Sequence, residues 1–360
     1  LTYILWEEFQ MNVIIPRILI EGREVDYIRG TYANNGGLTA ATLQFALPLL
    51  SDGYKNLWNK EVILYANDFE SKPLFRGYIK RVKEDFNTVE VFAQDVIGYM
   101  VLGGNTEKAK IALTDNENLD GLTVGAAIRK AIEIAKLNTK ISTDFIGDTT
   151  PIISSSRPPL RGTMGVLDII KKLMSRAIDD SVSPPRPNLL RVVDDGSTSQ
   201  LVIDVESDLD STELKHVFTE YDNITDLKII KRKVPTILIV NGKNEVSATF
   251  SHDSAIAAYD RNYLEVNNDA LESPAACKDF AQKLFRANLT TQYEYGIDTF
   301  EGIHLEENDV IRVDTEDDAF SGNYRVRGKR LQFDENNITV GITINRKPPT
   351  LAEYIARQDN

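Results

Sequence analysis

The feature that most restricts the fold of this chain is an order of short strands that occurs twice. Residues 59–94 and 307–344 each contain a short apolar strand, an acidic loop, a strand of mixed basic and apolar residues, a tight turn and a closing strand. Val62 and Ile63 in the first segment match Val310 and Ile311 in the second. Short strands separated by Gly, Asn and Asp are typical of β-barrels and sandwiches. The repetition therefore predicts two related β-barrels of common origin.

A basic stretch within the first segment raises the question of nucleic-acid binding. The chain as a whole carries 41 basic and 54 acidic residues, a net charge of −13, which argues against a protein that mainly binds phosphate backbones. Alternation along the strand sends Tyr78, Lys80 and Val82 to one face and Gly77, Ile79, Arg81 and Lys83 to the other, so no single basic stripe is expected. We therefore predict a barrel hairpin whose charges solvate its faces or meet acidic neighbours.

Three helices are predicted between the strands from apolar residues at helical spacing. Thr123 can cap a helix over 124–135, and a second helix is expected after Thr163, with an apolar face from Val166 to Ile178. Ser273, followed by a proline, marks the start of a third. The proline clusters at 154–162 and 181–188 can be ligands of a polyproline-reading domain, but short pieces that join elements are more often loops.

The sequence thus predicts an α+β, β-rich multidomain fold, with two related tube-like β-barrel domains and with α+β domains inserted or appended. The predicted domains are a first β-barrel at 1–103, an α+β domain at 104–205, a second β-barrel at 206–240 plus 300–346, a small α+β insertion at 241–299 and a C-terminal extension at 347–360.

Cysteine usage and the N-terminal run bear on where such a chain is made. Cys277 is the single cysteine, so we expect neither an intrachain disulfide nor a cysteine zinc site. Charged residues interrupt the apolar run at 1–22, and no small-residue cleavage site follows it, so we expect neither a signal peptide nor a membrane span. These features indicate a soluble, acidic protein made inside the cell.

The residues able to carry chemistry do not form a catalytic motif. His216, His252 and His304 lie far apart in the sequence and lack the spacing that puts two zinc ligands on one helix face. His252 stands beside Asp253 and Ser254, but adjacent residues of a strand point to opposite faces and no nucleophile elbow is present. We therefore interpret the histidines as structural.

Two acidic clusters are candidate calcium sites, because calcium binds several converging carboxylate oxygens. The clusters are Asp204, Glu206, Asp208 and Asp210, and Asp314, Glu316, Asp317 and Asp318. Lys215 stands where the last ligand of an EF-hand would be, which favours solvated acidic loops. No glycine-rich phosphate loop is present either. We predict no catalytic residue, no cofactor and no metal.

Four stretches together resemble one protein family. They are residues 74–100, where two strands end in Ala93-Gln94-Asp95 before an aromatic helix start, the opening strands at 18–48, the segment 251–266 before the capped helix, and the closing segment 303–333. In these stretches the chain resembles the baseplate hub proteins of long-tailed bacteriophages, which are similar to the N-terminal part of the type VI secretion spike. One departure is Asp260, which stands where many members have a glycine.

The resemblance implies a structural, non-enzymatic virion protein of the tail baseplate, made in the host cytoplasm. Members form a homotrimer that joins the hexameric tail tube, or a distal tail protein, to the central spike or tail tip. The tape-measure protein and baseplate wedge are further implied partners, and DNA passes through the lumen without specific binding. The loops after the repeated strands are the candidate partner contacts, with residues Asn67, Asp68, Glu70, Asp314, Glu316 and Asp317.

A second interpretation is a β-rich, carbohydrate-directed or nucleolytic tail-associated enzyme or binding module. It predicts activity on a glycan or a nucleic acid that is lost when one acidic pair is changed. The hub interpretation predicts a trimer and no hydrolysis.

Overall fold

The computed structural model describes residues 15–37, 39–49, 56–66, 72–102, 110–114, 118–147, 160, 162–174, 178–179, 186–194, 196–205, 207–210, 212–231, 235–267, 271–289, 293–316, 320–335 and 337–346.

The described residues form a β-rich α+β fold. The first strands are β1 (Arg17–Ile20), β2 (Arg23–Val25), β3 (Arg29–Asn34), β4 (Thr42–Pro48), β5 (Glu61–Tyr65), β6 (Phe75–Glu84), β7 (Thr88–Gln94), β8 (Lys110–Leu113), β9 (Gly162–Gly165), β10 (Ile178–Asp179), β11 (Arg186–Asp194) and β12 (Ser199–Val205). The later strands are β13 (Leu214–Thr219), β14 (Asp226–Lys231), β15 (Ile237–Asn241), β16 (Ser247–Ser251), β17 (Tyr263–Asn267), β18 (Tyr293–Thr299), β19 (Val310–Asp314), β20 (Gly322–Asp334) and β21 (Ile338–Arg346). The helices are α1 (Val96–Leu102), α2 (Val124–Ile134), α3 (Val166–Met174), α4 (Asp253–Tyr259) and α5 (Pro274–Leu289).

Thirteen of the strands form one sheet. Its strand order is β14-β18-β21-β20-β3-β4-β7-β6-β5-β1-β2, with β19 paired to β20 and to β13. Strands such as β7 alternate half-buried and buried residues, as expected where one face covers a core. No pairing among the described strands closes this path, so the two predicted barrels are not confirmed, although the β-rich fold class is.

The large sheet contains the same strand order twice. In the first module the order is β3-β4-β7-β6-β5-β1, and in the second module it is β14-β18-β21-β20-β19-β13. Every neighbouring pair within the modules is antiparallel except β13 with β19, which is parallel. The predicted order of three repeated strands is confirmed and extends to six. Common origin stays a prediction.

The modules are joined by one long strand. The first residues of β20, Gly322 to Arg325, pair with β19, whereas Lys329 to Asp334 pair antiparallel with β3 of the first module. We call this second pairing the β20–β3 join. A single hydrophobic core, with buried residues from Ile18 to Ile344, lies across it.

A β-bulge alters the expected alternation in the basic strand. The register of β6 with β7 shifts between Ile79 and Arg81, which leaves Lys80 as the extra residue. Ile79 and Val82 consequently face the same core, whereas Tyr78 contributes to another. The prediction that Val82 shares a face with Tyr78 is therefore wrong, because a bulge inserts one residue and reverses the alternation after it. The strand β20 has a similar shift, between Val326 and Gly328.

A second core lies among α1–α3 and the strands β8, β9, β11 and β12. Together with β10, which pairs with β11, these elements form what we call the α+β unit. Thr123 caps α2 as predicted, with its hydroxyl accepting from the N–H of Ala126 at 3.2 Å. Thr163 instead lies in β9, and the second helix begins at Val166. Residues Gly162–Gly165 are held as a strand by pairing with β8, so the helix starts only after them.

A third core lies between α5 and the small sheet of β15, β16 and β17. Ser273 accepts from the N–H of Ala276 at 3.2 Å, as predicted for the cap of α5. The strand β15 belongs to this small sheet and β18 belongs to the large one. The predicted boundaries instead placed most of β15 in the second barrel and β18 in the small α+β insertion. The domain boundaries themselves stay a prediction.

Asp260, the departure from the resembled family, follows α4 with φ of 61° and ψ of −177°. Almost only glycine adopts this combination of backbone angles, which explains why a glycine suits the position.

Across the described ranges, none of the helices combines the length and the apolar character needed to cross a membrane.

We predict that Gly30→Ala weakens the β20–β3 join. Gly30 is paired with Phe333, and a Cβ added at Gly30 would lie 2.3 Å from the Cζ atom of the Phe333 ring. Displacing the ring should lower the free energy of unfolding by about 1–3 kcal/mol, measured by urea denaturation.

The matched control is Gly147→Ala, since a Cβ at Gly147 meets no atom within 4 Å. Equal stability of the two variants would show that the ring does not pack on Gly30.

Candidate functional site

A buried ion pair connects the large sheet to the α+β unit. Arg76 of β6 donates from Nε to Oδ2 of Asp194, at the end of β11, over 2.6 Å. The two side chains are 8% and 7% exposed. Arg76 also donates to the carbonyl of Gly196 at 2.9 Å and lies 3.2 Å from a carboxylate oxygen of Glu61. Burial by itself lowers the pKa of Arg76, but the hydrogen bond and charge of Asp194 raise it above its usual value.

A second set of ion pairs centres on Glu306, in the segment before β19. Glu306 pairs with Lys72, just before β6, and with Nη1 of Arg191 on β11 at 2.9 Å. Arg191 also pairs with Asp204 of β12. Glu306 thus connects the second module with the first module and with the α+β unit.

These ion pairs line a cleft of about 240 Å³ between the two modules and the α+β unit. Although burial alone raises the pKa of Glu306, its pairs with Lys72 and Arg191 bring the pKa below its usual value. Burial raises the pKa of the neighbouring Glu307, against the effect of the Gly37 N–H, which donates to it at 2.6 Å. The acids of the cleft are therefore engaged in holding segments together.

Asp95, which ends the motif at 93–95, is buried and lines the same cleft. Its Oδ1 accepts from the N–H groups of Ile97 and Gly98, which fixes the start of α1. Its Oδ2 accepts from the N–H of Ala41, just before β4, at 3.1 Å. Burial raises the pKa of Asp95 to about 7, against the lowering effect of these N–H groups. The helix start predicted after this residue is confirmed.

The histidines occupy two different places. His252 lies at the start of α4, where its Nδ1 accepts from the N–H of Ala255 at 3.2 Å and its ring stacks on Phe285. Asp253 and Ser254 begin the helix, so they are not on a strand as assumed. His216 and His304, far apart in the sequence, have ring centroids 5.7 Å apart. Burial, followed by the charge of His216, lowers the pKa of His304.

Within the part of the chain that the structure describes, no group of three or more His, Cys, Asp or Glu residues could hold a metal ion. Asp204, from the first candidate calcium cluster, is occupied by Arg191. Asp208 accepts from the N–H of Asp210 at 2.9 Å, and Glu206 and Asp318 lie outside the described residues.

Two of the six predicted partner-contact residues lie in the described part of the chain. Asp314, at the end of β19, accepts from Arg312 at 2.8 Å. The N–H of Glu316 donates to the carboxylate of Glu220 at 2.9 Å, beside the exposed ring of Tyr221. The structure thus places them on an acidic end of the β13–β19 pair. Asn67, Asp68, Glu70 and Asp317 lie outside the described residues, and contact with partners stays a prediction for all six.

Unpaired strand edges form a second candidate surface that sequence reasoning missed. In the described part of the chain, β14 ends the large sheet, with β18 on one side only. The residues Arg81 to Glu84, here called the β6 arm, pair with β7 on one side, while β5 pairs with β6 only as far as Tyr78. Open edges are sites for pairing with another chain. Finding them requires the strand order, which the sequence does not give.

We predict that Arg76→Met strongly destabilises the protein. It leaves the buried Asp194 carboxylate without its charge partner, which should cost about 3–5 kcal/mol of unfolding free energy. Adding Asp194→Leu should recover most of this loss, since well-packed apolar residues can replace a buried pair. Urea denaturation of the three proteins measures the effect.

Arg17→Met is the control, because Arg17 and Glu24 form an exposed pair at 2.7 Å. Its cost should be no more than about 1 kcal/mol. Similar losses in Arg17→Met and Arg76→Met would contradict the assigned role of the buried pair.

We predict a pH-dependent effect for Glu306→Gln. The folded state lowers the pKa of Glu306 below its usual 4.5, so ionised Glu306 contributes stability above that pH and loses it as the pH falls through the folded pKa. At neutral pH the variant should lose about 1 kcal/mol, a modest value because partial exposure screens the pairs.

The stability difference between the wild type and Glu306→Gln should shrink as urea denaturation is repeated from neutral pH down to about pH 3. A difference that does not change over this range would rule out the ion pairs as its cause.

Comparison with known proteins gives a match in structure alone. No protein-family model and no curated protein matches the sequence. A tail protein from Neisseria meningitidis MC58 superposes with a TM-score of 0.62 at 11% identity, over 92% of this chain and 96% of that one. The 43 kDa tail protein of prophage MuSo2 from Shewanella oneidensis gives 0.60 at 10% identity, over 92% and 97%.

A third similar structure is c3393 of E. coli, a type VI secretion component that is structurally similar to the T4 bacteriophage tail proteins gp27 and gp5. Its TM-score is 0.52 at 11% identity, over 92% of this chain and 76% of that one. The chain therefore has the fold of these tail and type VI secretion proteins, and the resemblance expected from its sequence is confirmed at the level of the fold.

Proposed function

We propose that this chain is a structural protein of a phage tail and forms a homotrimeric hub between the hexameric tail tube and the central spike or tail tip. The observation that carries the proposal is the six-strand order that occurs twice in the large sheet. Three chains with two modules each present six similar modules. A trimer can meet a sixfold partner in this way, because each chain repeats the docking fold.

The extent of the structural match supports this proposal. The match covers 92% of this chain and nearly the whole of two tail proteins, so it includes both modules and the units between them. A likeness limited to one sheet would carry less weight, since folds recur with unrelated functions.

The proposed hub has a central channel through which the tape-measure protein and then the genome pass. The net charge of −13 suits a channel wall, because like charge lets DNA slide without specific binding. The acidic stretches that follow the repeated strands in the sequence, with Asn67, Asp68, Glu70, Asp314, Glu316 and Asp317, are the proposed contacts with the tube, the wedge or the neighbouring module. The site of action would be the tail baseplate of the virion.

We predict that the purified chain, alone or with a tail-tube or spike protein from the same source, forms particles of three times 40.4 kDa. Mass photometry measures the mass, and negative-stain electron microscopy should show a three-lobed ring with a central hole.

A compact monomer under both conditions would contradict the proposal. Hydrolysis of a glycan or a nucleic acid that is lost on mutation of one acidic pair would favour the enzymatic alternative instead. The partner protein belongs in the test because a tail protein that assembles on a partner can be monomeric by itself at low concentration.

A further inference from the structure

The β20–β3 join indicates how one copy of this chain would meet the next. Within the chain, the far half of β20 leaves its own module and pairs with β3 of the other module. By strand order, β6 is the counterpart of β20, and β14 is the counterpart of β3. The β6 arm and the outer edge of β14 are unpaired in the described part of the chain. A pairing equivalent to the β20–β3 join can therefore form between the β6 arm of one copy and β14 of another.

The register can be transferred through two matching turns. The N–H of Asp85 donates to the carbonyl of Thr88 at 2.8 Å, and the N–H of Asp334 donates to that of Asn337 at 3.0 Å. Aligning these turns makes the β6 arm equivalent to residues 330–333 of β20.

For the other strand, Leu43 of β4 and Ile297 of β18 occupy equivalent positions opposite the closing strands β7 and β21. Leu43 pairs with Tyr32, and Ile297 pairs with Leu227. Leu227 of β14 is therefore the counterpart of Tyr32 of β3.

We propose that the β6 arm of one copy pairs antiparallel with β14 of a second copy, in the register of the β20–β3 join. Leu331 is paired with Tyr32 in that join, which places Val82 opposite Leu227 between copies. Lys83 then lies opposite Asp226, and Glu84 lies opposite Thr225. The inference rests on the proposed trimer and names the surface that would hold it together.

The burial of residues at equivalent positions supports pairing with a second copy. Leu331 is fully buried and Tyr32 is 3% exposed, because the join covers both. Their counterparts Val82 and Leu227 are only half-buried, although both pack against the main core. A second copy in this register would cover them as the join covers Leu331 and Tyr32.

The charges of the two edges are complementary. The arm contributes Arg81, Lys83 and Glu84, all exposed, with a net charge of +1. Beside β14, Lys228 is paired with Asp298 and lies 3.4 Å from Asp226, so this patch has an excess of one negative charge. Lys83 meets Asp226 directly, and Arg81 faces a lysine that two carboxylates already neutralise. Opposite charges across paired strands stabilise the pairing.

The steric requirements also agree. In the intrachain join, Phe333 lies over Gly30, where no larger residue fits. The counterparts are Glu84 and Thr225, and with no ring above it, a threonine fits where glycine is otherwise required. At the same end lie two exposed rings, Phe86 at 88% and Phe300 at 64% exposure, in the β6–β7 turn and directly after β18.

A contact between a different edge on each copy is heterologous, and it either closes into a ring or continues as a filament. Here the β20–β3 join already fixes the rotation that relates the two modules of one chain, and an equivalent join between copies would repeat that rotation. Alternating the intrachain and inter-copy joins gives a closed ring of six modules in a trimer.

Paired cysteines test the register in the full chain. Lys83→Cys and Asp226→Cys are combined, with both sites exposed and the native Cys277 buried. Directly opposite residues have Cβ atoms about 4.5–5.5 Å apart, and a shift of about 1 Å brings them into the range of about 3.5–4.5 Å that a disulfide requires. Mild oxidation should give covalent dimers and trimers on non-reducing gels, whereas each single variant should give none. Adding the reductant should restore the monomer band.

The matched control combines Lys83→Cys with Arg23→Cys, on the exposed edge strand β2 at the other end of the sheet. Mass photometry is run on every variant before oxidation. A trimer that cross-links through position 23, or through neither pair, overturns the β6–β14 pairing and leaves the proposed hub intact. A chain that stays monomeric with and without its tail partner contradicts the hub and the inference together.

Discussion

The pairing of β20 with β3 is the contact on which the large sheet depends, because it turns two separate modules into one structure. It connects a strand near the start of the chain to one near its end, so its formation must overcome the loop entropy of everything between them. The core that lies across it includes Tyr32 and Leu331 on the join itself. The bulge near Arg327 lets β20 serve both modules, since bulges bend a strand and increase its twist.

Ion pairs, together with a small apolar contact, position the α+β unit on the large sheet. Its core is separate from that of the sheet apart from Tyr78, which it takes from β6. Arg76 and Asp194 then fix the unit at one point, and Glu306 ties it to the second module. Buried ion pairs add little net stability but demand one geometry, because any other arrangement leaves a charge unpaired. We expect such pairs to set the orientation of the unit rather than to drive its folding.

Local features were predictable from the sequence, and long-range ones were not. Thr123 and Ser273 were identified as caps because capping depends on residues within one turn, and the repeated strands were found because their apolar runs and turns recur. The bulge at Lys80 was missed, since no residue type there signals it, and the face assigned to Val82 was therefore wrong. The approach of His216 to His304 and the pairing of Arg76 with Asp194 follow from strand order, which a single sequence does not contain. The edges of β6 and β14 that lack a neighbour among the described strands were missed for the same reason.

An edge that is reserved for another copy must be protected until that copy arrives. Open strand edges template aggregation, and lysine side chains on the edge discourage random pairing. The β6 arm has this character, because Arg81 and Lys83 flank a single half-buried valine. The apolar content of β14 is likewise interrupted by Asp226 and Lys228. Antiparallel self-pairing of the arm about Val82 would set Arg81 opposite Lys83, so the arm repels a copy of itself and attracts β14. The intrachain join needs no such protection, because its two strands meet at the high effective concentration of one chain. Under the proposed pairing, this difference accounts for the tight packing of Phe333 on Gly30, whereas Glu84 and Thr225 stand at edges that stay soluble before assembly.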